Sequence, residues 1–136
     1  AGRGACTTRH PMIDRLDHLV LTTAHEARCV HFYCTVLGMA LQTFGEGRKA
    51  FVFNGQKINL HIQGREFEPK AQHPLPGALD LCFIASIPLA QVQQRLAEHG
   101  IAIECGPVQR TGARGPIRSV YVRDPDHNLI EISEYA

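Results

Sequence analysis

The chain has 136 residues and a mass of 15.1 kDa, with 44% hydrophobic and 20% charged residues, the profile of one ordinary soluble domain rather than a disordered, fibrous or membrane-spanning chain. Folding at this size buries about two-thirds of the surface an unfolded chain exposes, so the core requires neither disulfides nor a structural metal. Lys and Arg number 14 against 13 Asp and Glu, and with Arg3 and Arg9 set aside in an acid-free start the remainder is within one charge of neutral, which gives no footprint for nucleic acid or an anionic membrane surface.

In chain order, residues 1–12 lack the apolar middle of a secretory signal, and Met12 offers a native start; the stretch is read as a disordered leader or a remnant of cloning ahead of a single domain over 13–136. A strand is predicted at Asp17–Thr23, then a helix at Ala24–Leu37, where Val30, Tyr33 and Leu37 recur at helical spacing and Gly38 supplies the C-cap. Strands follow at Met39–Phe44, Ala50–Phe53 and Lys57–Ile62, with Asn54-Gly55 a hairpin turn between the last two. A Pro-containing stretch, Glu66–Lys70 within it, links to a second series: a strand at Leu79–Ala85, a helix at Leu89–His99 closing on Gly100, a strand at Ile101–Glu104, a glycine-rich loop at Gly106–Gly115, and strands at Ile117–Val122 and Asn128–Ser133. Each half reads β-α-β-β-β, module one over about 14–64 and module two over about 77–136.

The halves superpose. A shift that lays Gly38 on Gly100 also lays His18 on Asp80 and Val30 on Val92, and near the far end His61 falls on Glu131. Eight extra residues enter the second half, where the glycine-rich loop sits. The registration isolates four side chains that interrupt apolar strands: His18, His61, Asp80 and Glu131. Alternation along a strand puts His18 on a face with Val20 and Thr22, Asp80 with Cys82 and Ile84, and His61 with Asn59. Two imidazoles and two carboxylates sharing a buried place point to a divalent cation. This donor set suits Zn, Ni, Fe, Co or Mn over Ca or Mg, and it leaves coordination positions open for substrate. In the loop at 110–116, flexible glycines, free N–H groups and the guanidiniums of Arg110 and Arg114 form a candidate clamp for an anionic substrate group. Cys6, Cys29, Cys34, Cys82 and Cys105 are odd in number and contain no C-x-x-C pair; they read as buried thiols of a reducing compartment, the cytoplasm.

The doubled β-α-β-β-β order, the opening Leu16-Asp17-His18-Leu19-Val20-Leu21, His31-Phe32-Tyr33 followed by Leu37-Gly38-Met39, and the ending Arg123-Asp124-Pro125-Asp126-His127-Asn128-Leu129-Ile130-Glu131 resemble the vicinal oxygen chelate superfamily. That superfamily includes glyoxalase I, fosfomycin-resistance transferases, extradiol dioxygenases and bleomycin-binding proteins. Gln56–His61, Glu66–Ala71 and the stretch from Gly106 to Ala113 are similar to the glyoxalase domain-containing protein 5 group and its bacterial relatives. The resemblance implies an α+β fold in which two βαβββ modules form a pair of half-barrels. It also implies metal ligands on the first and last strands of both modules, here His18, His61, Asp80 and Glu131, and a homodimer. Asp80 stands where these enzymes commonly have His, and direct ligation, ligation through water and no ligation all remain open for it. His127 stands where glycine often takes a positive φ.

The activity implied is that of a glyoxalase-I-like isomerase or lyase. A metal would hold two neighbouring oxygens of a small substrate and stabilise an enediolate, while Glu131, or a metal-bound hydroxide, moves a proton between adjacent carbons. The alternatives are an Fe(II) extradiol-type dioxygenase, if the shell is two His and one carboxylate, and a drug-binding protein without catalysis, against which the absence of Trp counts.

Overall fold

The structure is a computed structural model and describes residues 10–136; Arg3, Arg9, Cys6 and most of the segment read as a leader lie outside the described residues. Each half of the chain builds one four-stranded sheet. In the first, β1 (His18–Thr23), β2 (Ala40–Phe44), β3 (Arg48–Phe53) and β4 (Gln56–Ile62) lie in the order β1-β4-β3-β2. In the second, β5 (Asp80–Ile84), β6 (Cys105–Gly112), β7 (Gly115–Arg123) and β8 (Leu129–Tyr135) lie in the order β5-β8-β7-β6. The first strand of each sheet is parallel to its last, and the other pairs are antiparallel. The α+β class and the doubled βαβββ order are those expected.

The first helix is shorter than predicted and changes type. α1 spans Glu26–Val30 and continues as a π-helix over His31–Val36, with the Leu37 N–H bonded to the Phe32 carbonyl at 3.0 Å. α2 spans Leu89–Glu98, and the Glu134 carboxylate of β8 accepts the Leu89 N–H at 2.6 Å, placing negative charge at its N-terminus. Both helical segments close on the predicted glycines, Gly38 at φ +83° and Gly100 at φ +70°. Asn54 and Gly55 take φ +41° and +77°, as a type I′ hairpin requires, and His127 takes φ +67° in the position where glycine was the expected residue.

Two expectations fail between α2 and β7. Ile101–Glu104 is not a strand: Glu104 donates its N–H to the Tyr121 carbonyl at 2.8 Å, and Ile101 and Ile103 pack against the core. The stretch expected as a glycine-rich loop is the β6–β7 hairpin, with Val108 opposite Ser119 and Gly112 opposite Gly115. The register shifts between Cys105 and Val108, where Gly106 sits at φ +106°; a Cβ there would lie 2.3 Å from the Ser119 carbonyl oxygen. The extra residues of the second half therefore lengthen two strands, β6 and β7 having 8 and 9 residues against 5 and 6 in β2 and β3.

Strand pairing also revises the registration of the last strands. His18 pairs with Lys57 and Asp80 with Leu129, so with His18 laid on Asp80 the position of Glu131 is that of Asn59, and His61 matches Ser133. The sequence registration was two residues out, which keeps side chains on the correct face because the strand period is two.

Both sheets turn one face to a shared core that includes Leu21, Tyr33, Phe51, Ile58, Leu96, Val120 and Ile130. Of the cysteines expected to be buried, Cys29 is, and burial pushes its thiol up to about 12; Cys82 and Cys105 are exposed, and all four described cysteines are free. A polar lock joins the modules. The Asp126 carboxylate accepts the Thr23 hydroxyl and, at 2.9 Å, the Ala24 N–H. The Asp124 carboxylate accepts the Tyr33 hydroxyl at 2.7 Å, the Asn128 side-chain amide at 2.8 Å and the N–H groups of Asp126 and Asn128, both at 2.9 Å. Asp124→Ala leaves these buried donors without an acceptor and is expected to cost about 3 kcal/mol, read as a lower urea midpoint, against about 1 kcal/mol for Tyr33→Phe.

Candidate functional site

Each sheet has a second face turned away from the shared core. On the first sheet, alternation brings His18, Val20 and Thr22 of β1 beside Asn59 and His61 of β4, and these line a cavity of about 500 Å³ with Arg48 and Lys70. Residues between the sheets close over it. Glu66 accepts the Gly64 N–H at 2.7 Å, which is the main cause holding its carboxyl below the usual range, and its other oxygen lies 3.6 Å from Lys70. That anchor sets the Phe67 ring edge-on to His61 at 5.7 Å.

His61 is 3% exposed, and neither ring nitrogen has a hydrogen-bond partner among the described residues; the neighbouring Asn59 Oδ1 is buried and unpaired as well. Buried polar atoms are nearly always satisfied, so three orphans at adjacent same-face positions of one strand mark a place built for a ligand. Burial first, and the Arg48 charge second, hold the His61 imidazole below its ordinary value. It is therefore neutral at pH 7, the form that binds metal. His18 places Nδ1 2.8 Å from Asp17 Oδ2, a carboxylate–imidazole pair that orients the ring. The unpartnered His61 nitrogens and Asn59 oxygen are donors of the kind that fit a divalent transition metal.

Glu131 lies elsewhere. It shares a cavity of about 470 Å³ on the second sheet with Cys82, Arg110, Tyr121 and Tyr135. Its Oε2 accepts the Ser119 hydroxyl at 2.6 Å and the Ser133 hydroxyl at 3.4 Å, leaving Oε1 unpaired among the described residues. Asp80 begins β5, is exposed, and lines neither cavity. Among the described residues no group of three or more His, Cys, Asp or Glu is close enough to hold a metal; His18 and His61 line one cavity, with His61 opposite Thr22 and four residues along from Lys57, the partner of His18, and neither Asp80 nor Glu131 lines it. The expected clamp differs too. The β6–β7 pairing takes up backbone groups expected to be free; Arg110 lines the second cavity with Nε on the Tyr121 hydroxyl at 3.1 Å, and Arg114 stacks over Tyr135 at 5.2 Å outside the lining. Asn59 was missed as a site residue. Its signal was its place two residues before His61, and only the parallel pairing of β1 with β4 gives that place weight.

The family described as the Glyoxalase/Bleomycin resistance protein/Dioxygenase superfamily matches residues 15–132. The chain is 56% identical over 124 residues to Virulence protein STM3117 of Salmonella typhimurium, a match covering 91% of this chain and 86% of that protein. The crystal structure of that protein superposes with a TM-score of 0.90, covering 93% of this chain and 100% of the other. A Glyoxalase domain-containing protein, RDO1 of Mycosarcoma maydis, is 55% identical over 127 residues, covering 93% of this chain and 72% of that protein. A lactoylglutathione lyase from Agrobacterium tumefaciens, 22% identical, shares the fold with a TM-score of 0.69 over 90% of this chain and 94% of the other.

Because folding lowers the His61 value, the unfolded chain takes up a proton at higher pH than the folded one. Stability contributed by neutral His61 is thus present above 6.5 and is lost as the pH falls below it. Urea midpoints measured from about pH 7.5 to about pH 5.5 are expected to fall more steeply for the wild type than for His61→Gln.

Proposed function

The chain belongs to the Glyoxalase/Bleomycin resistance protein/Dioxygenase superfamily, and on that premise we propose that it is a metal-dependent isomerase or lyase of the glyoxalase type, acting on a small substrate with two neighbouring oxygens. The observation that carries the reading is the buried, partnerless pair His61 and Asn59 in the cavity that His18 also lines. His18 and His61 hold one divalent ion of the Zn, Ni, Fe, Co or Mn group, with Asn59 as a further oxygen donor. The ion, when bound, supplies positive charge against the two substrate oxygens and so stabilises the anionic transition state.

Glu131 is ligand and base in this reading, and it comes from a second copy of the chain. The two sheets of one chain keep their cavities apart, and apolar side chains stand exposed on both open faces, Val20 at 41% and Ile84 at 52%. A homodimer that faces module one of each copy with module two of the other covers them and completes two equivalent sites. Ser119 and Ser133 hold Oε2, so the remaining oxygen of Glu131 takes a proton from the hydroxyl-bearing carbon beside a carbonyl and returns it to the carbonyl carbon, while the hydroxyl proton passes to the former carbonyl oxygen. Substrate and product are isomers, and no other reactant is consumed. Asp80 stays outside this set. Two His and one carboxylate are also the non-haem iron pattern, so oxygen uptake with a catechol is the outcome that would favour an extradiol dioxygenase instead.

Elemental analysis of the purified chain is expected to find about one divalent metal per chain, falling to background in His61→Ala. Metal at background in the wild type, or retained in His61→Ala, would sink the assignment. Glu131→Gln is expected to cost at least about a hundredfold in turnover. Mixing and refolding the inactive His61→Ala and Glu131→Gln chains is expected to restore about a quarter of wild-type activity, since half the dimers are mixed and each carries one intact site; no recovery would place the site within one chain.

A further inference from the structure

We propose that Arg48 is the anion-recognising residue of the module-one cavity, and that the substrate carries a single carboxylate beside its vicinal oxygens; this rests on the reading of that cavity as the substrate site. Arg48 opens β3 and lines the cavity with His61. Its guanidinium carbon lies 5.1 Å from the Phe44 ring centre and 4.7 Å from that of Phe67, the ring that also packs against His61. Aromatic faces fix the plane of the guanidinium without using its N–H groups.

Those N–H groups have no acceptor among the described residues. The other Lys and Arg side chains that line the two cavities are engaged: Lys70 lies 3.6 Å from Glu66 and 3.3 Å from Glu68, and Arg110 donates to Tyr121 and to the Gln109 carbonyl at 3.0 Å. Lys57, 4.1 Å over Phe44, stands outside the cavity lining. Among the cavity-lining Lys and Arg residues, the Arg48 charge is therefore the uncompensated one. A planar fork held still and left open matches a carboxylate in bidentate geometry. With Lys70 already faced by two carboxylates, one net charge favours a monoanion over a phosphate dianion.

The test uses the full chain after treatment with a chelator, so that metal does not hold the probe, and follows glycolate, glycolamide and inorganic phosphate by calorimetry and by the arginine Nε–H resonances. Glycolate is expected to bind and to shift one arginine resonance, with glycolamide and phosphate weaker. Arg48→Met is expected to lose about tenfold or more of the glycolate affinity, Arg48→Lys to keep part of it, and Arg110→Met to match the wild type. The proposal is overturned if glycolate does not bind, if Arg48→Met binds it as tightly as the wild type, or if glycolamide or phosphate binds at least as well. Metal content of Arg48→Met, measured separately, is expected to equal the wild type's, so a failed metal assignment is distinguishable from a failed anion site.

Discussion

Asp124 and Asp126, the two carboxylates of the turn between β7 and β8, hold the halves of the chain in one relation. Both are nearly buried, at 3% and 7% exposure, and buried carboxylates persist only where hydrogen bonds replace lost water. Here the donors come from both modules: Thr23 at the end of β1 and Ala24 after it, Tyr33 in the π-helix, and the turn's own backbone. Tyr33 is stacked on Phe51 at 5.1 Å, so the same contact that satisfies Asp124 also ties it to the first sheet. The turn needs His127 at a positive φ, and it receives the Arg123 guanidinium on the His127 carbonyl at 3.1 Å. A Cβ on Gly77 would lie 2.7 Å from the Asp126 carbonyl oxygen, so the chain entering module two passes close against the same turn.

With the helix-side faces committed to one core, the second faces are left for chemistry. They differ in how they treat their polar groups. On the second sheet Ser119 and Ser133 hold one oxygen of Glu131, with the serine hydroxyls 2.7 Å apart. On the first, the linker over residues 66–75 buries His61 and Asn59 without giving them partners, and aromatic rings rather than acids hold Arg48. Desolvation keeps the imidazole neutral, and the unpaired guanidinium makes its protonation costlier still. One face thus holds unpaired nitrogen and oxygen atoms beside an unpaired guanidinium, while the other holds a carboxylate with Arg110.

Much of this was legible in the amino-acid sequence because it is set by local chemistry. Gly38, Gly100 and the Asn54-Gly55 turn mark chain positions that need positive φ, and alternation on β1, β4, β5 and β8 names the face of each polar residue without any knowledge of partners. The membership of His18 and His61 in one cavity follows from that alternation once β1 lies beside β4. What local chemistry could not supply was register. An apolar strand pattern aligns equally well when slipped by two residues, so the equivalence of Asn59 with Glu131 is invisible until hydrogen bonds pair His18 with Lys57 and Asp80 with Leu129. The Gly106–Gly115 stretch reads as a loop by composition, and only its pairing with β7 makes it strand.

Sequence alone determined the class of the fold, its duplication, the residues able to ligate and the face each one occupies, since these depend on side-chain type and on a period of two or 3.6 residues. Tertiary structure decided which of those residues meet. It separated Glu131 and Arg110 from His18 and His61, set Asp80 apart from both cavities, and brought Phe44 and Phe67 onto Arg48 from distant points of the chain. Proximity of that kind is a property of strand order and linker path, and neither is written in the spacing of the residues concerned.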